Sequence, residues 1–215
     1  APLCSIERGK GNQKKAEEIM GNSFFLLILL GLLLTAVILI FKKPIIYAFG
    51  ASEATFPYAD SYITIYLLGS VFVMIGLGMN SFINSQGFGT VGMMTVLLGA
   101  AANILLDPLF IYGFGWGIQG AAIATILAQV ISLMWQFRLF SNKEELLHFH
   151  RGIFRLKRKI VFDSLAIGMA PFLMNLASCF IVILINQGLK KYGGDLAIGA
   201  FGIVNRLVFL FVMIV

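Results

Sequence analysis

Long apolar runs, interrupted at short intervals by polar and glycine-rich turns, set the pattern of this 215-residue chain. Residues 24–41 are apolar except for Thr35. At about 1.5 Å per residue that run reaches roughly 27 Å, close to the ~30 Å hydrocarbon core of a bilayer. Lys42, Lys43 and Pro44 close it, and a connection carrying Glu53, Pro57 and Asp60 leads to a second run at 62–82. A short turn at 84–90 precedes a third run, 91–112, and Gly113-Phe-Gly-Trp-Gly117 turns the chain into a fourth, 118–140. After a basic stretch at 141–159, a fifth run occupies 160–186 with Pro171 as an expected kink, and a sixth opens at 196. The pattern predicts an all-α fold: a polytopic membrane helix bundle with five complete spans and a truncated sixth. A polar start and an apolar end together read as an internal fragment of a longer protein.

Composition agrees. The chain is 59% hydrophobic and 12% charged, where soluble domains hold about 45–50% apolar and about 25% charged residues. The placement of the net charge of +6 matters more than its sum. Arg8, Lys10, Lys14 and Lys15 fall in the polar lead, and Arg138, Lys143, Arg151, Arg155, Lys157, Arg158 and Lys159 cluster at or near the 141–159 stretch. Lys42, Lys43, Lys190 and Lys191 face the other way. The positive-inside rule therefore expects 1–23 and 141–159 in the cytoplasm of a multi-pass protein of the cell membrane. A solvated basic loop accounts for the charge without nucleic acid. Cys4 and Cys179 match no metal or redox spacing and read as plain small residues.

The chemistry concentrates in Asn103-Ile-Leu-Leu-Asp107-Pro108. Asn103 and Asp107 lie four apart, one helical turn along the same face. Pro108 has no N–H, which leaves the Ile104 carbonyl without its usual helical donor. One face of one apolar helix thus offers an amide, a carboxylate and a freed carbonyl, a set of oxygens suited to a proton or a small cation. An ionisable group in the outer half of a span marks a functional site facing the bundle interior. The plainer reading keeps its place beside it: a helix-end aspartate at the interface, followed by a turn-making proline. Arg206, eleven residues past Asp195, is the other charge within an apolar run.

Other motifs carry less. Gly87-Phe-Gly-Thr-Val-Gly92 and Gly115-Trp-Gly-Ile-Gln-Gly120 match G-x-G-x-x-G, but a dinucleotide site requires a strand before it, and here the glycines join apolar helices. His148 and His150 sit in the basic stretch without a carboxylate or thiolate framework and read as solvated. No spacing pairs a nucleophile with a base, so the chain is not read as an enzyme.

Three stretches resemble the multidrug and toxic-compound extrusion (MATE) transporters. They are Ala1-Pro-Leu-Cys-Ser-Ile-Glu-Arg-Gly-Lys-Gly-Asn12 with Lys15-Ala-Glu17, then Asn103-Ile-Leu-Leu-Asp107-Pro108, then Gly117-Ile-Gln-Gly-Ala-Ala-Ile-Ala-Thr125. The resemblance implies a twelve-helix, two-lobe transporter of which this chain is a fragment. Residues 1–140 would be a partial N-terminal lobe holding family helices three to six. Residues 141–159 would be the cytoplasmic loop between lobes, and 160–215 the start of the C-terminal lobe, helix seven and part of eight. Many members hold a cation site on helices one, five and six. Matched by motif, Asn103 and Asp107 would be its helix-five members and Thr125 its helix-six member, while the helix-one aspartate lies outside this chain.

The function so implied is antiport. H⁺ or Na⁺ would be the coupling ion, with no cofactor, and an amphipathic, cationic organic compound would be exported by a monomeric full-length transporter embedded in the bilayer. Phe72, Met74, Met79, Met93 and Met94 offer adaptable lining, though such residues are more often packing or lipid-facing. Two rivals stand beside this reading: a flippase for a lipid-linked precursor within the same superfamily, and a non-transporting membrane assembly protein.

Overall fold

The computed structural model describes residues 1–141 and 156–214, of which the side chains at 210 and 212–214 are left aside. His148, His150, Lys143, Arg151 and Arg155 of the basic stretch lie outside the described residues. Among those described there is no strand. The chain forms α1 (Pro2–Gly9), α2 (Gln13–Ile40), α3 (Lys42–Ala48), α4 (Phe56–Ser85), α5 (Gly89–Pro108), a π-helical turn (Leu109–Gly113), α6 (Gly117–Ser141) and α7 (Arg158–Ile214). Five helical stretches among the described residues are long and apolar enough to cross a membrane.

The expected spans sit inside longer helices. The polar lead is itself helical: α1 fills most of its first half, and α2 starts at Gln13 rather than near residue 24. Ala16, Ile19 and Met20 recur at helical spacing and are buried, so that early part of α2 has a core face of its own. The last expected turn is also helical. The α7 helix runs through 187–193, and Gly194 is where it departs from helical geometry, with φ 65°. Two apolar stretches therefore flank a single glycine joint.

The contacts divide the chain into two units. The first comprises residues 1–40 and 61–168. Its core joins Cys4 of α1, Ala16, Ile19 and Met20 of α2, Ile75, Met79, Phe82 and Ile83 of α4, Leu133 and Phe140 of α6, and Ile160 of α7. Helix α1 is held to the end of α4 by side chains. Ser5 Oγ donates to the Ser85 carbonyl at 3.1 Å and Arg8 Nη1 to the Gln86 carbonyl at 2.9 Å. Carbonyls at a helix C-terminus have no donor within the helix, and a cation there also complements the dipole. Glu7 is nearly buried and pairs with Lys15 at 3.1 Å and Lys10 at 3.2 Å. Lys15, then Lys10, holds its carboxyl below the ordinary glutamate range. Burial pushes the Cys4 thiol up, which keeps it protonated and inert.

The second unit comprises residues 41–60 and 169–215. Here α3 ends against amide side chains of α7. Gln187 Nε2 donates to the carbonyls of Tyr47 at 2.9 Å and Ala48 at 2.8 Å, and Asn186 Nδ2 donates to that of Phe49 at 2.8 Å. Lys190 Nζ donates to the Ala51 carbonyl, and Lys42 pairs with Asp60 at 2.8 Å.

Candidate cation site

The site is built on the α5–α6 hairpin, the most extensive helix–helix contact among the described residues. Pro108 closes α5, and the backbone then widens into the π turn, where Phe114 N–H donates to Leu109 O, five residues back, at 3.0 Å. A proline withholds one donor, and the π turn is one way a chain continues past it. Gly115 and Gly117 adopt φ of 69° and 53° and reverse the chain into α6. These glycines serve the turn, as do the other turn glycines of the G-x-G-x-x-G matches. Phe110, Phe114 and Trp116 pack around the same turn with ring centroids 5.4 Å apart. Gly120 meets the Phe110 backbone so closely that a Cβ there would lie 2.7 Å from the carbonyl oxygen.

This hairpin brings the three residues named from the sequence together. Asn103 Nδ2 donates to Asp107 Oδ1 at 3.1 Å and reaches Thr125 Oγ1 at 3.5 Å. Thr125 Oγ1 in turn donates to the Ala121 carbonyl at 2.9 Å. All three are half-buried. Asp107 lies inside the continuous α5–π segment rather than at a free helix terminus. The carboxylate's partner in this cluster is a neutral amide, which in turn links it to the Thr125 hydroxyl.

Asn103 and Thr125 also line a half-open cavity of about 230 Å³ between α4, α5 and α6. Small residues make room for it: Gly76 on α4, Gly99 and Ala100 on α5, Ala128 on α6. Its other polar lining is Asn80, Gln129, Ser132 and Gln136. Sequence reasoning missed this set. Asn80 Nδ2 donates to the Gly92 carbonyl at 2.9 Å and to Thr95 Oγ1, and Ser132 Oγ donates to the Thr95 carbonyl at 2.8 Å. The signal available in the sequence was one of depth. Asn80, Thr95, Ser132 and Gln136 are neutral polar residues in three apolar runs, each in the half of its run nearer the basic segments.

Other sequence candidates separate from the site. Arg206 is exposed, and Asp195 accepts a hydrogen bond from Ser52 Oγ at 2.7 Å. Met79 belongs to the core of the first unit, whereas Phe72, Met93 and Met94 are exposed.

Comparison with known proteins places this chain in a family. The family profile MatE matches residues 1–109, a segment that contains Asn103 and Asp107 and stops short of Thr125. The multidrug export protein MepA of Staphylococcus aureus is 27% identical over 200 residues, which cover 93% of this chain and 44% of MepA. A solved structure of the MATE multidrug transporter DinF-BH in complex with a small-molecule ligand is 29% identical, with a TM-score of 0.90 over 96% of this chain and 46% of that one. An inward-facing multidrug resistance MATE family transporter of the MOP superfamily shares the fold, at 24% identity and a TM-score of 0.89, with 96% of this chain and 47% of that one covered. The chain spans about half the length of these relatives.

Proposed function

The chain belongs to the MatE family, and from that premise we propose that it forms part of a cation-coupled antiporter that exports amphipathic organic cations. One observation carries the reading: a carboxylate on α5, an amide one turn away and a hydroxyl on α6 converge within hydrogen-bonding reach. The names of the relatives add that MepA is a multidrug exporter and that DinF-BH was captured with a small molecule.

The chemistry of the cluster suits a proton or Na⁺. Asp107 supplies the negative charge, and Thr125 Oγ1 and the Asn103 amide oxygen supply neutral ligands to a hard cation. Here the Asn103 amide turns its nitrogen to the carboxylate, so an N–H occupies the place of a positive partner. A half-turn of the amide exchanges donor for acceptor and offers the oxygen to an incoming ion. Ion binding would bias a transport equilibrium only by its differential affinity for the two arrangements of the whole transporter. On the orientation set by the basic segments, ions would enter from outside and leave to the cytoplasm. The flippase reading draws no support from the cavity, whose lining residues include no Lys or Arg to meet an anionic headgroup.

The test is ethidium efflux by the transporter that carries this chain, as wild type and as Asp107→Asn, at matched expression. The substitution keeps the shape and removes the charge. Gradient-driven efflux is expected to fall at least tenfold. Normal pumping by the variant would show that coupling does not use the Asp107 charge.

A further inference from the structure

Gln136 is a glutamine with no evident reason to be where it is. It is 3% exposed on α6, it lines the cavity between α4, α5 and α6, and its Oε1 has no hydrogen-bond partner. A buried acceptor left unpaired is costly, so a side chain kept in that state is normally met by something the cavity admits.

The position of the cavity indicates what that is. One end is formed by Asn103 and Thr125, two members of the candidate cation cluster. The other is formed by Asn80 and Gln136, each five residues before the end of its helix, Ser85 for α4 and Ser141 for α6. From Thr125 to Gln136 is eleven residues, about 16 Å along the helix axis. The polar lining thus leads from the cluster toward the end of the bundle that bears the basic segments. At roughly 30 Å³ per molecule of liquid water, 230 Å³ corresponds to about eight waters. The lining is mostly apolar surface crossed by a row of neutral amides and hydroxyls, and it carries no fixed charge. Neutral oxygens and amides bind a small cation strongly enough to admit it and weakly enough to let it go.

We propose that this cavity is the cytoplasmic release path of the coupling cation: a hydrated, neutral passage from Asn103 and Thr125 to Gln136. It rests on the cation-site reading of Asp107 and adds the route. Gln136 Oε1 is its inner station, an acceptor for the hydrated ion as it leaves. Ser132 and Asn80 hold the walls through their bonds to the Thr95 backbone and side chain.

The experiment has two parts, both on the full transporter in vesicles. In a background with native cysteines replaced by serine, Gln136→Cys and Leu133→Cys are exposed from the cytoplasmic side to a charged, membrane-impermeant methanethiosulfonate. Leu133 sits in the apolar core, 5% exposed. Gln136→Cys is expected to react at least tenfold faster; equal rates would overturn the passage. Second, exchange of ²²Na⁺ and of protons, the latter followed by an internal pH dye, is measured in wild type, Gln136→Leu and Asp107→Asn. The exchange that serves the transporter identifies the ion. Gln136→Leu is expected to slow it at least fivefold. Should Asp107→Asn abolish exchange while Gln136→Leu leaves it intact, the cation site stands and the path falls. Unchanged exchange in Asp107→Asn would remove the cation site and the path together.

Discussion

Glu7 shows how one residue ties a surface helix to the bundle. Its carboxylate takes Lys15 and Lys10 while nearly buried beneath α1, and the lysines hold it below the ordinary glutamate range. A carboxyl whose folded pKa is depressed stabilises the fold above its unfolded value, near about 4.3, and loses that contribution as pH falls toward the folded value. Thermal unfolding of wild type and Glu7→Gln in detergent should show a wild-type advantage at pH 7 that closes below about pH 4.3. A constant gap across pH would mean that the lysines act on something other than this carboxylate. The same scale shows what the sequence made legible of the site. Asn103 and Asp107 were readable because a four-residue spacing on an apolar helix fixes their shared face. Thr125 lies on another helix, and only the family resemblance pointed to it. Gln136 escaped notice because one neutral amide in an apolar run resembles tolerated polarity until its neighbours in space are known.

Among the elements, the α5–α6 hairpin depends on close backbone approach. A methyl at position 120 would sit 2.7 Å from the Phe110 carbonyl oxygen, and backbone cannot move aside as a side-chain tip can. Overpacking of this kind costs about 1–3 kcal/mol. Gly120→Ala should therefore lower the apparent melting temperature of the purified transporter by several degrees and weaken efflux through displacement of Thr125, little more than one turn further on. An unchanged melting temperature and activity would show that the hairpin yields. Element boundaries were less legible than element existence. The run at 24–41 was plain from hydropathy, yet the helix begins at Gln13 because Ala16, Ile19 and Met20 keep a core face among the charges of 13–18. Hydropathy averages over that face and hides it. The break between the last two apolar stretches is shorter than their polar separation predicts, since lysines and glutamine at 187–191 continue a helix readily and Gly194 is where the chain leaves it.

At the scale of the molecule, each contact unit is assembled from segments distant in the sequence. The amide caps on α3 exemplify this in the second unit. Gln187→Leu removes the donor to two terminal carbonyls, which should cost about 1 kcal/mol. Gly120 belongs to the first unit and shares no hydrogen-bond partner with Gln187. The losses in the double variant should then add within about 0.5 kcal/mol in equilibrium unfolding. A larger coupling would show that the two substituted sites are energetically linked. The overall class, an all-α membrane bundle, was legible from hydropathy alone. The grouping of 41–60 with 169–215 was not, because side-chain amides spaced across the chain leave no periodic trace.

That grouping has a consequence for biosynthesis. The Tyr47 carbonyl and its Gln187 donor are 140 residues apart. A ribosome adding about 5–20 residues per second takes roughly 7–28 s to cover that distance. Throughout that interval the end of α3 has no amide from α7, and water or the insertion machinery must satisfy its carbonyls instead. A cap supplied so late acts as a checkpoint on assembly: the α3 segment reaches its final bonding only when the ribosome has delivered α7 as far as Gln187.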